Sequence, residues 1–554
     1  MKIAKVIGAT ALIAVLGLTA CNANPSTSGT GSSAPVTKGG TLNILTAATE
    51  INLDPAKSQN LAITTLGLIE RRLTTWDISQ DGPAKVVPDL ATDTGTPSDG
   101  GKTWKFTLKD GLKYDDGSAV TAADIKYGLE RSFAPELSGG LGYHKTLLVG
   151  GESYKGPYSG KQLASIETPD AKTIIFKLNK AYGDWPWIAS MPAFAPVPAA
   201  RDAEPQKYAQ KVAATGPYQL DSYQQGASLK LKRNPNWSQE TDSVRVGAAE
   251  NVVFKLSQDA TVAAQKLIAD SGEDKNSFGA GFVPPAQLAQ IQSNPSAKAR
   301  LTTSDAGALA YLAINTKRLK DLKLRQAIQY ATDKKAYQTA VGGEIGGALA
   351  TTLITPGIPG RVDYDLYKAD PSGDVAKAQE LLKESGFDTN TTLTFVVGSD
   401  DQNLSKAQAI QQGLQRIGLK ITLKPLDDNA LIEATTGAAG DYDLALGSWQ
   451  PDFPSANANI QPLFASSEIG NGGYNISRYS NPEVDQLIAA ATGETDQSKA
   501  GQLWAQIDQK IAQDSPVVPL VYTKNSFLHG SNVQNFFIGG FPAYPNYLKV
   551  SLKQ

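Results

Sequence analysis

Between positions 391 and 446 the apolar residues change period repeatedly, and each change marks an element. Thr391 to Val397 is rich in β-branched and aromatic residues and reads as a strand. Leu404, Ala407, Ile410, Leu414 and Ile417 then recur at helical spacing until Gly418 stops the helix. From Leu419 to Leu426, apolar Leu419, Ile421 and Leu423 alternate with Lys420, Thr422 and Lys424, which predicts a second strand. A further helical stretch around Ala430 to Ala434 leads into the short apolar run Leu444 to Leu446, extending a parallel strand-helix-strand pattern. After it Gly447 and Ser448 are small, and Trp449, Pro451, Phe453 and Pro454 forbid regular continuation. Asp452 is therefore expected in a stiff loop beyond a strand's carboxyl end, where open α/β sheets bind ligands. The competing reading is a turn cap, since Asp beside Pro is common in loops. Pattern alone leaves both open.

The same pattern carries the rest of the chain. Gly39 to Leu45 reads as an opening strand, and Leu53-Asp54-Pro55 turns it toward a helical stretch near Ala62 to Arg71. Thr103 to Lys109 alternates strictly, with Trp104, Phe106 and Leu108 on one face, and predicts a half-buried antiparallel strand. Asp110-Gly111 and Asp116-Gly117 are turns, and Thr121 with Asp124 three residues on forms a capping pair opening a helix through Ile125, Leu129 and Phe133. Asn481 followed by Pro482 starts another.

Length and charge narrow the function. At 554 residues the chain is too long for one domain, and 52 basic against 54 acidic residues leave no field to recruit nucleic acid or an anionic membrane. Lys2 and Lys5 precede an apolar run from Val6 to Leu18, a signal-peptide pattern over residues 1–20 that is too short for a stable span. It ends Leu18-Thr19-Ala20-Cys21, which resembles the bacterial lipobox, and Cys21 is the sole cysteine, so internal disulfides and Cys-based sites are ruled out. Residues 21–38 are mostly Ser, Thr, Gly, Ala and Pro with no apolar period, a flexible tether of about 20 Å span. The globular part is thus expected outside the membrane, cell-surface or periplasmic, held by a lipid on Cys21.

Val87-Pro88-Asp89-Leu90-Ala91, the block TWKFTLKDGLKYDDGSAVTAADIKYGLERSF, Thr215-Gly216-Pro217-Tyr218, Arg233-Asn234-Pro235-Asn236-Trp237 and YLAINTKRLKDLKLRQAIQYATDKKAY from Tyr311 occur in this order. Together with DVAKAQELLKESGF from Asp374 and NPEVDQLIAAA from Asn481, they resemble the family 5 extracellular solute-binding proteins, the peptide and nickel receptors of ABC importers. The resemblance implies an α/β, two-lobed periplasmic-binding-protein-like fold (type II, cluster C-like) with an extra inserted domain. It would place lobe I in residues 39–85, 199–308 and 520–554, the inserted domain in 86–198 and lobe II in 309–519, with hinge crossings near the proline clusters at 192–198 and 516–519. It also implies a monomer that receives a peptide ligand and works with permease subunits and cytoplasmic ATPases, with no cofactor. In similar receptors an aspartate in W-x-x-D-[YF] holds the ligand's α-ammonium, here Trp449-Gln450-Pro451-Asp452-Phe453, and main-chain groups nearby take the peptide as an added strand. Trp449 of the same segment is a further binding candidate, and Gly447, Ser448, Asn60 and Leu61 are the weaker contact candidates. Phe453-Pro454-Ser455 departs from the Asp-Pro that many members carry after the aromatic.

Catalysis and metal binding find little in the residues. His144 and His529 are far apart, neither H-E-x-x-H nor G-x-S-x-G occurs, and the glycine-rich stretch Gly95 to Thr103 has the wrong spacing for a phosphate loop and leads into a strand. Two isolated histidines suit nickel poorly. Trp185-Pro186-Trp187 is compatible with stacking on an oligosaccharide or with packing inside the inserted domain or at a lobe interface. A peptide-sensing surface lipoprotein without a transporter is the remaining alternative.

Overall fold

The computed structural model describes residues 36–80, 82–305 and 307–553. The expected signal segment, Cys21 and all but the last three tether residues lie outside the described residues. The strand-helix-strand reading holds: Thr392–Gly398 and Lys420–Leu426 pair in parallel around the helix Asp401–Gln415, which buries Ala407, Ile410 and Leu414 against them. Leu444–Trp449 joins the other edge of Thr392–Gly398 in parallel at Leu444 and Ala445. Its far side pairs antiparallel, in full, with Leu309–Ile314, a strand buried along its whole length. Val517–Thr523 and Gly347–Leu349 complete a mixed six-stranded sheet.

A five-stranded sheet is built around Thr41–Leu45, which pairs in parallel with both Asn251–Lys255 and Ser277–Gly279. The meander Tyr218–Gln224 and Ser228–Arg233 extends it. Between these segments in sequence, Thr103–Thr107 pairs antiparallel with Thr96–Ser98 and Thr173–Lys177 in a four-stranded sheet closed by Ile166–Glu167. Trp104 and Phe106 face inward, as the alternation requires, and Phe106 meets Phe176 edge-on at 5.9 Å. Helix Ala122–Arg131 carries both bonds of the Thr121/Asp124 capping box and stops two residues short of Phe133. The helix expected over 62–71 shrinks to Thr65–Ile69.

The crossing expected at 519/520 falls inside a strand. Val517 to Tyr522 is continuously apolar and stays paired with Leu309–Ile314 as far as Tyr522, and Pro519, which has no N–H to give, sits where that ladder shifts register opposite Tyr311. The chain leaves the six-stranded sheet later, where two segments run side by side: Thr523 N–H donates to Ala308 O at 2.8 Å, and Asn525 N–H to Ser304 Oγ at 2.9 Å. Leu301–Thr303 and Ser526–Leu528 then pair antiparallel, and His529 bridges to Phe278 of the five-stranded sheet.

Trp185 and Trp187 are 0% and 3% exposed on the short helix Trp185–Ile188. Trp185 packs on Phe176 at 5.2 Å and Phe194 at 5.7 Å, so neither indole presents a face to a sugar and the packing reading is the correct one.

Candidate functional site

The loop after Leu444–Trp449 is pinned at both ends. Trp449 Nε1 donates to Ala458 O at 2.7 Å, tying the strand end to the helix Ala456–Phe464, and its ring lies 5.0 Å from Tyr474. Phe453 is 1% exposed, and Ser455 caps the helix by accepting from Asn457 N. Between these anchors Asp452 is half-buried and points elsewhere: its Oδ2 accepts from the Tyr143 hydroxyl at 2.6 Å. Among the described residues it accepts no backbone N–H. The carboxylate thus has a phenol partner 309 positions away in sequence.

Tyr143 opens the short helix Tyr143–Leu147, and its ring meets Phe453 edge-on at 5.5 Å. Burial, then the Asp452 charge and the hydrogen bond to it, push the phenol well above its ordinary pKa. It therefore stays protonated and donates to a charged carboxylate.

Asp452, Gln450 and Pro451 line an open cleft of about 650 Å³ together with Asn60, Leu61, Gln59, Thr64 and Thr65 on the segment after Thr41–Leu45, and with Tyr544 and Tyr547. The structure brings three of the sequence candidates, Asp452, Asn60 and Leu61, into one space. Gly447, Ser448 and Trp449 do not line it. Gly447 is packed on Tyr311, where a Cβ would lie 2.3 Å from the ring, and Ser448 is exposed beside Ala310 in the ladder. Beyond Ala445, however, the strand's second edge has no partner strand among the described residues. Sequence reading missed Tyr143, Gln450, Tyr544 and Tyr547. The last two had a usable signal, aromatics in a loop segment punctuated by glycines and prolines, IGGFPAYPNY; Tyr143 had none.

The loop is also fastened to the four-stranded region. Ser455 Oγ donates to Asp184 Oδ2 at 2.7 Å, Asn457 Nδ2 donates to the Tyr182 hydroxyl at 3.2 Å, and Gly183 N donates to Thr492 O at 2.7 Å. A Cβ on Gly183 would sit 1.8 Å from Glu494 O, so this approach requires glycine. Burial raises the Asp184 carboxyl to about 6, against hydrogen bonds from Ser455 and Asn457 that lower it. A folded-state value above the unfolded one means stability present at acid pH and lost as pH rises from about 4 through about 6. Asp184→Asn should remove that contribution: measured from pH 4 to 7, the melting temperature of the variant relative to the native protein should rise with pH. Parallel curves would show that Asp184 titrates normally.

The geometry defines a class before it defines a family: an α/β chain of two principal sheets, with a cleft lined from both. The chain belongs to the bacterial extracellular solute-binding proteins, family 5, whose middle region matches residues 85–471. The glutathione-binding protein GsiB of Salmonella typhi is 26% identical over 460 residues, 82% of this chain and 84% of that one. Among solved structures, the clavulanic acid biosynthesis oligopeptide binding protein 2 superposes with TM-score 0.84 at 28% identity, covering 94% of this chain and 97% of that one. The oligopeptide-binding protein AppA of Bacillus subtilis, in complex with a nonapeptide, superposes with TM-score 0.64 at 23% identity over 94% of this chain and 100% of that one. These neighbours establish the two-lobed periplasmic-binding-protein fold. No helix among the described residues is long and apolar enough to cross a membrane.

Proposed function

We propose that this chain is the lipid-anchored, extracytoplasmic receptor of an ABC importer, taking a peptide between two lobes and delivering it to the permease. The observation that carries the peptide reading is the Asp452 carboxylate, oriented by Tyr143 in a cleft shared with Asn60 and Leu61. A fixed carboxylate there suits a ligand ammonium, and a charge-assisted hydrogen bond of this kind contributes about 1.5 to 3 kcal/mol. The unpartnered edge beyond Ala445 offers Gly447 and Ser448 main-chain groups to an added strand, while Trp449 acts as the loop's anchor. Family membership supports a binding role over a catalytic one.

In this reading residues 86–198 form the inserted domain, and the two large sheets belong to opposite lobes. The paired crossing at Ser304 and Asn525 serves as part of the hinge, later than the proline-based boundary. Binding between hinged bodies favours the closed population, so small-angle scattering with a saturating peptide mixture should give a smaller radius of gyration than without. An unchanged radius at demonstrated saturation removes the hinge. For the anchor, Cys21→Ser should release the protein from membranes into the soluble fraction. Variant protein that still sediments with membranes in high salt rejects lipidation at Cys21.

A further inference from the structure

Among the described residues, those lining the cleft comprise one carboxylate, Asp452, and no lysine, arginine or histidine. The other polar groups there are neutral, and Gln450, Tyr544 and Tyr547 make no side-chain hydrogen bond with other described residues. Tyr547 is 8% exposed and packs on Phe278 at 5.0 Å, while Tyr544 packs on Phe282 at 5.7 Å and Phe527 at 6.1 Å. Tyr544 and Tyr547 thus give the cleft ring faces and phenol hydroxyls, Gln450 adds an amide on the loop that carries Asp452, and Asp452 is the one charged side chain among the described lining residues.

We infer that the cleft selects peptides whose C-terminal carboxylate lies outside it, either extended chains or chains with a blocked C-terminus, and rejects short acids such as glutathione. The inference rests on the peptide reading above and deepens it. A ligand carboxylate drawn into this space finds no fixed positive partner among the described lining residues and meets the like charge of Asp452. Main-chain amides and an apolar or aromatic side chain meet what the cleft offers: hydroxyls, an amide and ring faces. A volume of about 650 Å³ open to solvent leaves the chain's far end free to continue outward.

The test uses the full chain and a random pentapeptide library prepared in three forms: free acid, C-terminal amide and N-acetylated amide. Retained peptide is quantified by mass spectrometry, and glutathione is titrated separately. The amide should be retained at least as well as the acid, the N-acetylated amide at least tenfold less than the amide, and glutathione should bind at least a hundredfold more weakly than the retained peptides. Gln450→Lys places a cation in the cleft and should raise the acid-to-amide ratio about tenfold. Native protein that retains the acid tenfold over the amide, or binds glutathione as tightly as the peptides, overturns the inference while leaving the ammonium site standing. Equal retention of the acetylated and unacetylated amides sinks the ammonium reading instead, and retention of none of the three forms sinks both.

Discussion

Replacing Asp89 with alanine should destabilise the protein by about 3 to 5 kcal/mol, because it leaves two buried guanidinium groups to share one carboxylate where they had two. Asp89 is 1% exposed and accepts from Arg71 Nε at 2.7 Å, from Arg72 N at 3.1 Å, and from Arg245 Nη1 and Nη2 at 3.1 and 3.0 Å. Asp242 completes the cluster at 3.2 Å from Arg245 and 3.6 Å from Arg71. Burial would raise the Asp242 carboxyl, but Arg245 and Arg71 outweigh it and hold the group well below the usual carboxylate range. Such a cluster contributes little net energy when intact, yet half of it cannot stay buried. Urea unfolding should show a large drop in midpoint for Asp89→Ala and a smaller one for Asp89→Asn, which keeps an acceptor. Asp110→Ala, which breaks an exposed pair with Lys172, should leave the midpoint unchanged. A midpoint for Asp89→Ala near the native one would mean that the arginines find water or another partner.

Asp452→Asn should weaken peptide binding by about 2 to 5 kcal/mol, since it keeps size and removes the charge opposite a desolvated ammonium. N-acetylating the peptide should weaken binding to the native protein by a similar amount and matter little to the variant, because both changes delete one interaction. Calorimetry on the four combinations gives the coupling directly. Tyr143 sharpens the expectation: its hydroxyl holds Oδ2, so the asparagine keeps a donor beside it and its orientation survives. Additive losses, or a native protein indifferent to acetylation, would leave Asp452 as a structural residue bound to Tyr143.

The segments that made the family legible owe their character mainly to packing. Asp89 of Val87-Pro88-Asp89-Leu90-Ala91 clamps Arg71 and Arg245; Thr215 Oγ1 accepts from Arg71 N at 2.8 Å; a Cβ on Gly216 would lie 2.7 Å from Leu68 O; and Asn234 Nδ2 donates to Gly216 O at 3.0 Å. Two motifs distant in sequence meet at the buried Arg71 and a third bonds to Gly216 beside it, so they report the fold and say little about the ligand.

Local order was open to reading because period, caps and breakers act within a few residues. The alternation at Trp104 and Phe106, the Thr121 capping box, the parallel pair around Asp401–Gln415 and the loop carrying Asp452 all follow from such short-range rules. Tertiary structure decided what depends on contacts across hundreds of positions. It gave Asp452 its phenol, brought Tyr544 and Tyr547 to the cleft, buried Trp185 among phenylalanines, and carried the apolar strand at 517–523 through the boundary that Pro519 suggested. Side-chain chemistry sets what a residue can bind, but which partner it meets is fixed by how sheets and loops stack, and no local pattern encodes that distance.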